Sequence, residues 1–184
     1  MKIAIIGSHG VGKSTLAKEL SKILKFPILP DTAREALLKG FAVNEATPPE
    51  NQLWILSKQM EYERELKDNF IADKTLFDNI VYARQIFTDQ NFLTVIENIV
   101  QKIASYDLYI YLPIEIPLVD DGRSMDPVFQ QKIDAEYLKL MGEFGISYYQ
   151  VRGSIKERLK MSMQIISLFR KKSPVNLRQK TLAF

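Results

Sequence analysis

Cysteine is absent from this 184-residue chain, and histidine occurs once, as His9. The first absence excludes disulfides, thiolate-bound metals and cysteine nucleophiles, and it suits a reducing cytosol, so a cytoplasmic protein is expected. Long hydrophobic runs are also missing. The apolar stretch at the N-terminus stops at Gly7, too short for a secretory core or a membrane span. No internal repeat and no low-complexity tract interrupts the chain, and no Asn-Lys-x-Asp signature for guanine occurs. A hydrophobic fraction of 46% and a charged fraction of 26% are ordinary for a globular protein. The length predicts one domain over residues 1–172, with a basic tail at 173–184.

The most informative residues present are Gly7-Ser8-His9-Gly10-Val11-Gly12-Lys13-Ser14-Thr15. They fit G-x-x-x-x-G-K-[ST], the phosphate-binding P-loop. The apolar run Lys2–Ile6 ahead of them reads as a buried strand. Behind them, Leu16, Leu20, Ile23 and Leu24 share one face of a helix. Glycines let the backbone curl until successive N–H groups point at phosphate oxygens, and the helix adds its own unsatisfied N–H groups. Lys13 is expected to reach the β- and γ-phosphates, and the Ser14 hydroxyl to ligate Mg²⁺. His9 occupies a variable position of the motif and is expected to be a solvated loop residue.

Strand and helix signals alternate along the chain, which predicts an α/β fold with a parallel sheet covered on both faces. Strands are expected at 2–6, 26–30, 69–73, 108–112 and 146–151. Helices are expected at about 15–24, 32–39, 50–68, 78–87, 92–105, 127–141 and from 153 onward. The inward stripe of the 50–68 helix is read as Leu53, Leu56 and Met60. Residues 113–126 lack apolar periodicity and read as a mobile loop. Parallel strand ends gather distant segments on one rim. That rim would hold the P-loop, Asp31, Asp73, the 113–126 loop and Gly153.

Phosphoryl transfer needs the phosphate charge neutralised, Mg²⁺ held and the acceptor aligned. Asp31 can accept the acceptor's proton or hold its hydroxyl, and it can equally cap the following helix. Arg34 can hold a phosphate on the acceptor, or pair with a surface acid. Asp73, at a strand end beside the P-loop, can hold Mg²⁺ through water or act as a base. Arg123 can offset charge on the transferring phosphoryl from a closing lid. Gly153 can let backbone approach a nucleobase. Trp54 and Gln59 on the long helix can face an acceptor base. Residues 156–184 carry eight basic side chains against Glu157 alone, in a chain of net charge +3. Such a stretch is either a solvated helix face and tail or a grip for nucleic acid.

The P-loop, Asp31-Thr32-Ala33-Arg34-Glu35, Asp73-Lys74-Thr75-Leu76-Phe77-Asp78 and Arg152-Gly153-Ser154-Ile155-Lys156-Glu157-Arg158 together resemble small P-loop nucleoside and nucleotide kinases. The likeness is strongest to nicotinamide-ribonucleoside kinase-like domains, often labelled AAA-type ATPases, and spans roughly residues 1–170. It implies a three-layer fold with five strands in the order 2-3-1-4-5. It implies ATP with Mg²⁺ and transfer to a small nucleoside- or nucleotide-like acceptor. Under the resemblance Asp31 and Arg34 stand at the acceptor, Asp73 near the metal, Arg123 on the lid and the Gly153 turn beside adenine. Lys74 stands where many nucleotide kinases carry arginine. A P-loop ATPase acting as a switch, and a kinase acting on polynucleotide, are the alternatives.

Overall fold

Four of the five residues in Lys2–Ile6 (β1) are wholly buried, so this strand must be covered on both faces. The computed structural model describes residues 1–119 and 124–172. Ala4 and Ile6 point to one apolar core, Ile3 and Ile5 to the other, as the two-residue period of a strand requires. Leu16, Ala17 and Leu20 of α1 (Lys13–Leu24) pack on the Ile3 face, joined by Ile166 of α7 (Ile155–Lys172). The opposite face is covered by α3 (Pro49–Leu66), α4 (Leu76–Ile86), α5 (Gln90–Ile103) and α6 (Pro127–Glu143). Each wholly buried leucine or isoleucine in these layers contributes about 1.5–3 kcal/mol of transfer free energy.

The sheet is parallel and four-stranded, in the order β2-β1-β3-β4. Here β2 is Phe70–Ala72, β3 is Leu108–Tyr111 and β4 is Tyr149–Gln150. The expected five-stranded sheet in the order 2-3-1-4-5 is therefore corrected. The segment expected as a strand at 26–30 makes only a single bridge, Ile28 to Ile71. Pro27 supplies no N–H, so the ladder position two residues before Leu29 has no donor. What survives is Leu29 N–H donating to Ile71 O at 2.8 Å and Ile71 N–H donating to Pro27 O at 2.9 Å.

The helices begin where short polar side chains catch their free amides. Asp31 accepts from the Arg34 N–H at 3.1 Å at the start of α2 (Thr32–Leu38). Thr75 and Asp78 form a reciprocal capping box at α4. The stripe on α3 differs from expectation. Leu53 is 41% exposed, whereas Gln52, Ile55, Leu56, Gln59 and Glu63 are buried. Gln52 and Gln59 occupy inward positions of this helix because they line a cavity, and Glu63 because it accepts from the Tyr106 hydroxyl. Of the basic stretch at 156–184, residues 173–184 lie outside the described residues, as does Arg123. No helix among the described residues is long and apolar enough to cross a membrane.

Candidate active site

The loop between β1 and α1 turns through three glycines with positive φ, Gly7 at 133°, Gly10 at 75° and Gly12 at 91°. At Gly7 a side chain is excluded on two counts, since a Cβ would strike the Leu112 carbonyl oxygen. Side chains from distant elements hold the loop from outside. The Gln130 amide on α6 donates to the His9 carbonyl at 2.7 Å. The Arg158 guanidinium on α7 donates to the Val11 carbonyl at 2.6 Å. Lys13 is buried and bends over the loop, donating to Gly7 O at 2.7 Å and Ser8 O at 2.6 Å. Its ammonium is thus held in front of the curled backbone. Ser14 and Thr15 are exposed at the start of α1.

Gly10, Gly12, Lys13, Ser14 and Thr15 line part of one cavity. Asp31, Asp73 and Lys74 line another part of it. Asp73 is buried just past β2, and burial pushes its carboxyl above the usual aspartate range. The Ser14 hydroxyl and the Lys13 ammonium oppose that rise, which places all three groups around one point. A hydroxyl and a carboxylate are two of the oxygen donors a Mg²⁺ ion takes, the rest coming from phosphates and water. The described residues contain no cluster of three or more ligating side chains. Ser14 and Asp73 supply two oxygens, which fits a metal whose other ligands are phosphate and water.

A second cavity lies beside the first and shares Lys74 with it. Its walls are Gln52, Ile55 and Gln59 of α3, Asp78, Asn79 and Tyr82 of α4, Phe129 of α6, and His9. The buried amides form a chain. Gln52 donates to Asn79 at 2.9 Å, Asn79 donates to Gln59 at 3.2 Å, and Gln59 donates to the Lys74 carbonyl at 3.1 Å. Such a chain fixes side chains that flank an apolar floor and leaves the cavity uncharged there. His9 is only 3% exposed and its Nδ1 meets the Tyr82 hydroxyl at 3.2 Å. The expectation of a solvated histidine is corrected, because the loop turns His9 inward between Tyr82 and Phe129.

The structure thus brings Gly10, Gly12, Lys13, Ser14, Thr15, Asp31 and Asp73 around one cavity. Arg34 is exposed on α2 and lines neither cavity. Gly153, at a φ of 87°, follows β4 and donates its N–H to Glu115 at 2.9 Å. Gln59 lines the second cavity, whereas Trp54 packs edge-to-face on Phe41 at 5.2 Å. Gln52, Asn79, Tyr82, Phe129 and Arg158 escaped the sequence reading as site residues. A signal for the first existed: glutamines recur seven residues apart, on the same face as Ile55 and Glu63.

A family model described as an AAA domain matches residues 2–158. No curated protein sequence matches the chain. Among solved structures, the deoxyadenosine kinase from M. mycoides with dCMP and dCDP superposes at a TM-score of 0.69 and 20% identity, over 91% of this chain and 99% of that one. The NadR protein in complex with NR gives a TM-score of 0.75 at 17% identity, over all of this chain and 54% of NadR. The thymidylate kinase from Candida albicans gives 0.67 at 20% identity, over 91% of each chain. At such identities the likeness is one of fold, that of P-loop nucleoside and nucleotide kinases.

Proposed function

The chain belongs to this family of AAA domains, and on that premise we propose that it transfers the γ-phosphoryl group of ATP to a small nucleoside- or nucleotide-like acceptor. The observation that carries this reading is the meeting of two cavities at Lys74, one lined by the P-loop and one lined by amides and aromatic rings. A hydrolase needs room only for water in front of the γ-phosphate. Here a second cavity adjoins the P-loop cavity, lined in the way small heterocycles are bound, apolar with a few fixed polar groups.

The roles follow from placement. The loop amides and the start of α1 bind the phosphates. Lys13 leaves its loop carbonyls for the β- and γ-phosphate oxygens. Ser14 and Asp73 would hold Mg²⁺, which when bound neutralises phosphate charge. Asp31 faces the junction and holds the acceptor hydroxyl or takes its proton. Lys74, beside Asp31, offsets charge on the transferring group. Gln59 and Asn79 orient the acceptor's ring, and Tyr82 and Phe129 pack on it.

Radiolabelled γ-phosphate from ATP, offered with a panel of nucleosides and nucleoside monophosphates, tests the proposal. A labelled product with one acceptor class is expected. Vigorous acceptor-free hydrolysis with no labelled product would instead mark an ATPase.

A further inference from the structure

We propose that Arg158 is a positioning residue for the phosphate cradle, fixing the direction in which the Gly12 N–H points. The inference rests on the reading of the P-loop as a nucleotide site and adds a residue that the motif does not contain.

Arg158 sits on the first turn of α7, amid exposed neighbours from Arg152 to Glu157, yet it is only 4% exposed itself. Its Nη1 donates to the Val11 carbonyl at 2.6 Å and its Nη2 to the Glu115 carboxylate at 2.8 Å. The same Glu115 oxygen accepts the Gly153 N–H at 2.9 Å. The guanidinium and the Gly153 amide accordingly hold that carboxyl below the usual glutamate range. One arginine therefore ties the P-loop to the segment after β3 and to the turn before α7.

The consequence follows from the planarity of the peptide bond. In a trans peptide the C=O and the next N–H point in opposite directions. No peptide bond among the described residues is cis. A cation that holds the Val11 carbonyl from behind the loop therefore turns the Gly12 N–H to the opposite side, and Gly12 lines the phosphate cavity. The cation also polarises that peptide, making its N–H a stronger donor. Gly12 leaves room for the arrangement, since a Cβ there would stand 3.3 Å from Arg158 Nη1.

A stabilising role alone explains the arrangement poorly. Arg84 shows what a network built for ion pairing looks like here, with Glu97, Glu136 and Glu143 all bonded to one guanidinium. Arg158 instead spends one arm on a neutral carbonyl, and among the described residues its buried Nε has no partner. Burying a cation in that way is justified by what it does to the carbonyl it holds.

The test compares wild type with R158Q and R158K by calorimetry with Mg·ATP, and by the Gly12 amide resonance in [¹⁵N]glycine-labelled protein. R158Q should weaken Mg·ATP binding by roughly tenfold or more, the range for loss of a charge-assisted contact. Its Gly12 amide should shift in the free protein and respond less to nucleotide, and R158K should fall between. Unchanged affinity together with an unmoved Gly12 resonance overturns the inference. Should R158Q fail to fold, R158K carries both readouts, because it keeps the charge and loses the fork. If wild type binds no Mg·ATP, the kinase reading falls, while the Gly12 resonance of the free proteins still decides the role of Arg158.

Discussion

The Lys74 ammonium lies 4.0 Å from the Asp31 carboxylate, at the junction of the two cavities. Asp31 comes from the turn before α2 and Lys74 from the end of β2. Pairing of those two segments through Ile28 and Ile71 brings them together. An acid and a cation facing each other at the mouth of a phosphate cradle divide the work of transfer. The acid handles the acceptor's hydroxyl and the cation offsets the moving charge.

Asp31→Asn separates the chemical from the structural role. Asparagine caps a helix about as well as aspartate, so the bond to the Arg34 N–H persists and the melting temperature should hold. Loss of the proton acceptor should lower kcat by about 10²–10⁴-fold. The affinity for ATP should stay unchanged. Steady-state kinetics beside a calorimetric ATP titration checks this, and equal loss in both would make Asp31 purely structural.

Asp73→Asn probes a buried charge. Burial raises the folded-state pKa of Asp73 above its ordinary 3.8, despite Ser14 and Lys13. The folded chain therefore takes up this proton more readily than the unfolded one. Stability gained on protonation is present at low pH and is lost as pH rises through the raised value. At pH 8 the D73N protein should melt at or above the wild-type temperature, and the difference should shrink on acidification. Turnover should nonetheless fall by about 10²-fold or more, as for other lost transition-state contacts. Melting curves across pH 4–8 would contradict the account if D73N were the less stable protein at pH 8.

Asn79→Leu breaks the amide chain in the second cavity. Gln52 and Gln59 each lose a buried partner, at a cost of about 1–3 kcal/mol. The acceptor's KM should rise while that of ATP stays put, because Asn79 touches the second cavity alone. A matched rise in both values would place the acceptor elsewhere.

Two glycine substitutions should differ sharply. Alanine at Gly7 places a Cβ against the Leu112 backbone, in a conformation of φ 133°. The structure cannot relieve this with a rotamer change, so a loss of about 3 kcal/mol or more is expected, with severe loss of nucleotide binding. Alanine at Gly40 has φ 81° but nothing within 4 Å, so only the left-handed backbone penalty of about 1–2 kcal/mol remains. Denaturant unfolding of both variants measures the contrast.

The P-loop was legible in the sequence because its chemistry is local: the glycines, Lys13 and Ser14 lie within eight residues. So were the helices, whose caps and apolar periods are local as well. The apolar residues at 26–30 suggest a strand, while Pro27 lacks the N–H that would extend the ladder beyond the Ile28–Ile71 bridge. The second cavity was mostly hidden. Its walls come from four helices and the loops between elements, and only packing shows that Asn79 faces Gln59. Arg158 read as one of many basic residues near the C-terminus. Its partner is a backbone carbonyl, which leaves no trace in sequence spacing.

The most direct test of the central claim is calorimetric titration of Mg·ATP into wild type and Lys13→Ala. Lys13 donates to the loop carbonyls of Gly7 and Ser8 and belongs to neither apolar core, so the variant should remain folded. Wild type should bind one nucleotide per chain, and the variant should bind it at least about tenfold more weakly, the cost of one lost charged contact. Absence of binding heat for ATP in folded wild-type protein, at several temperatures, would contradict the account.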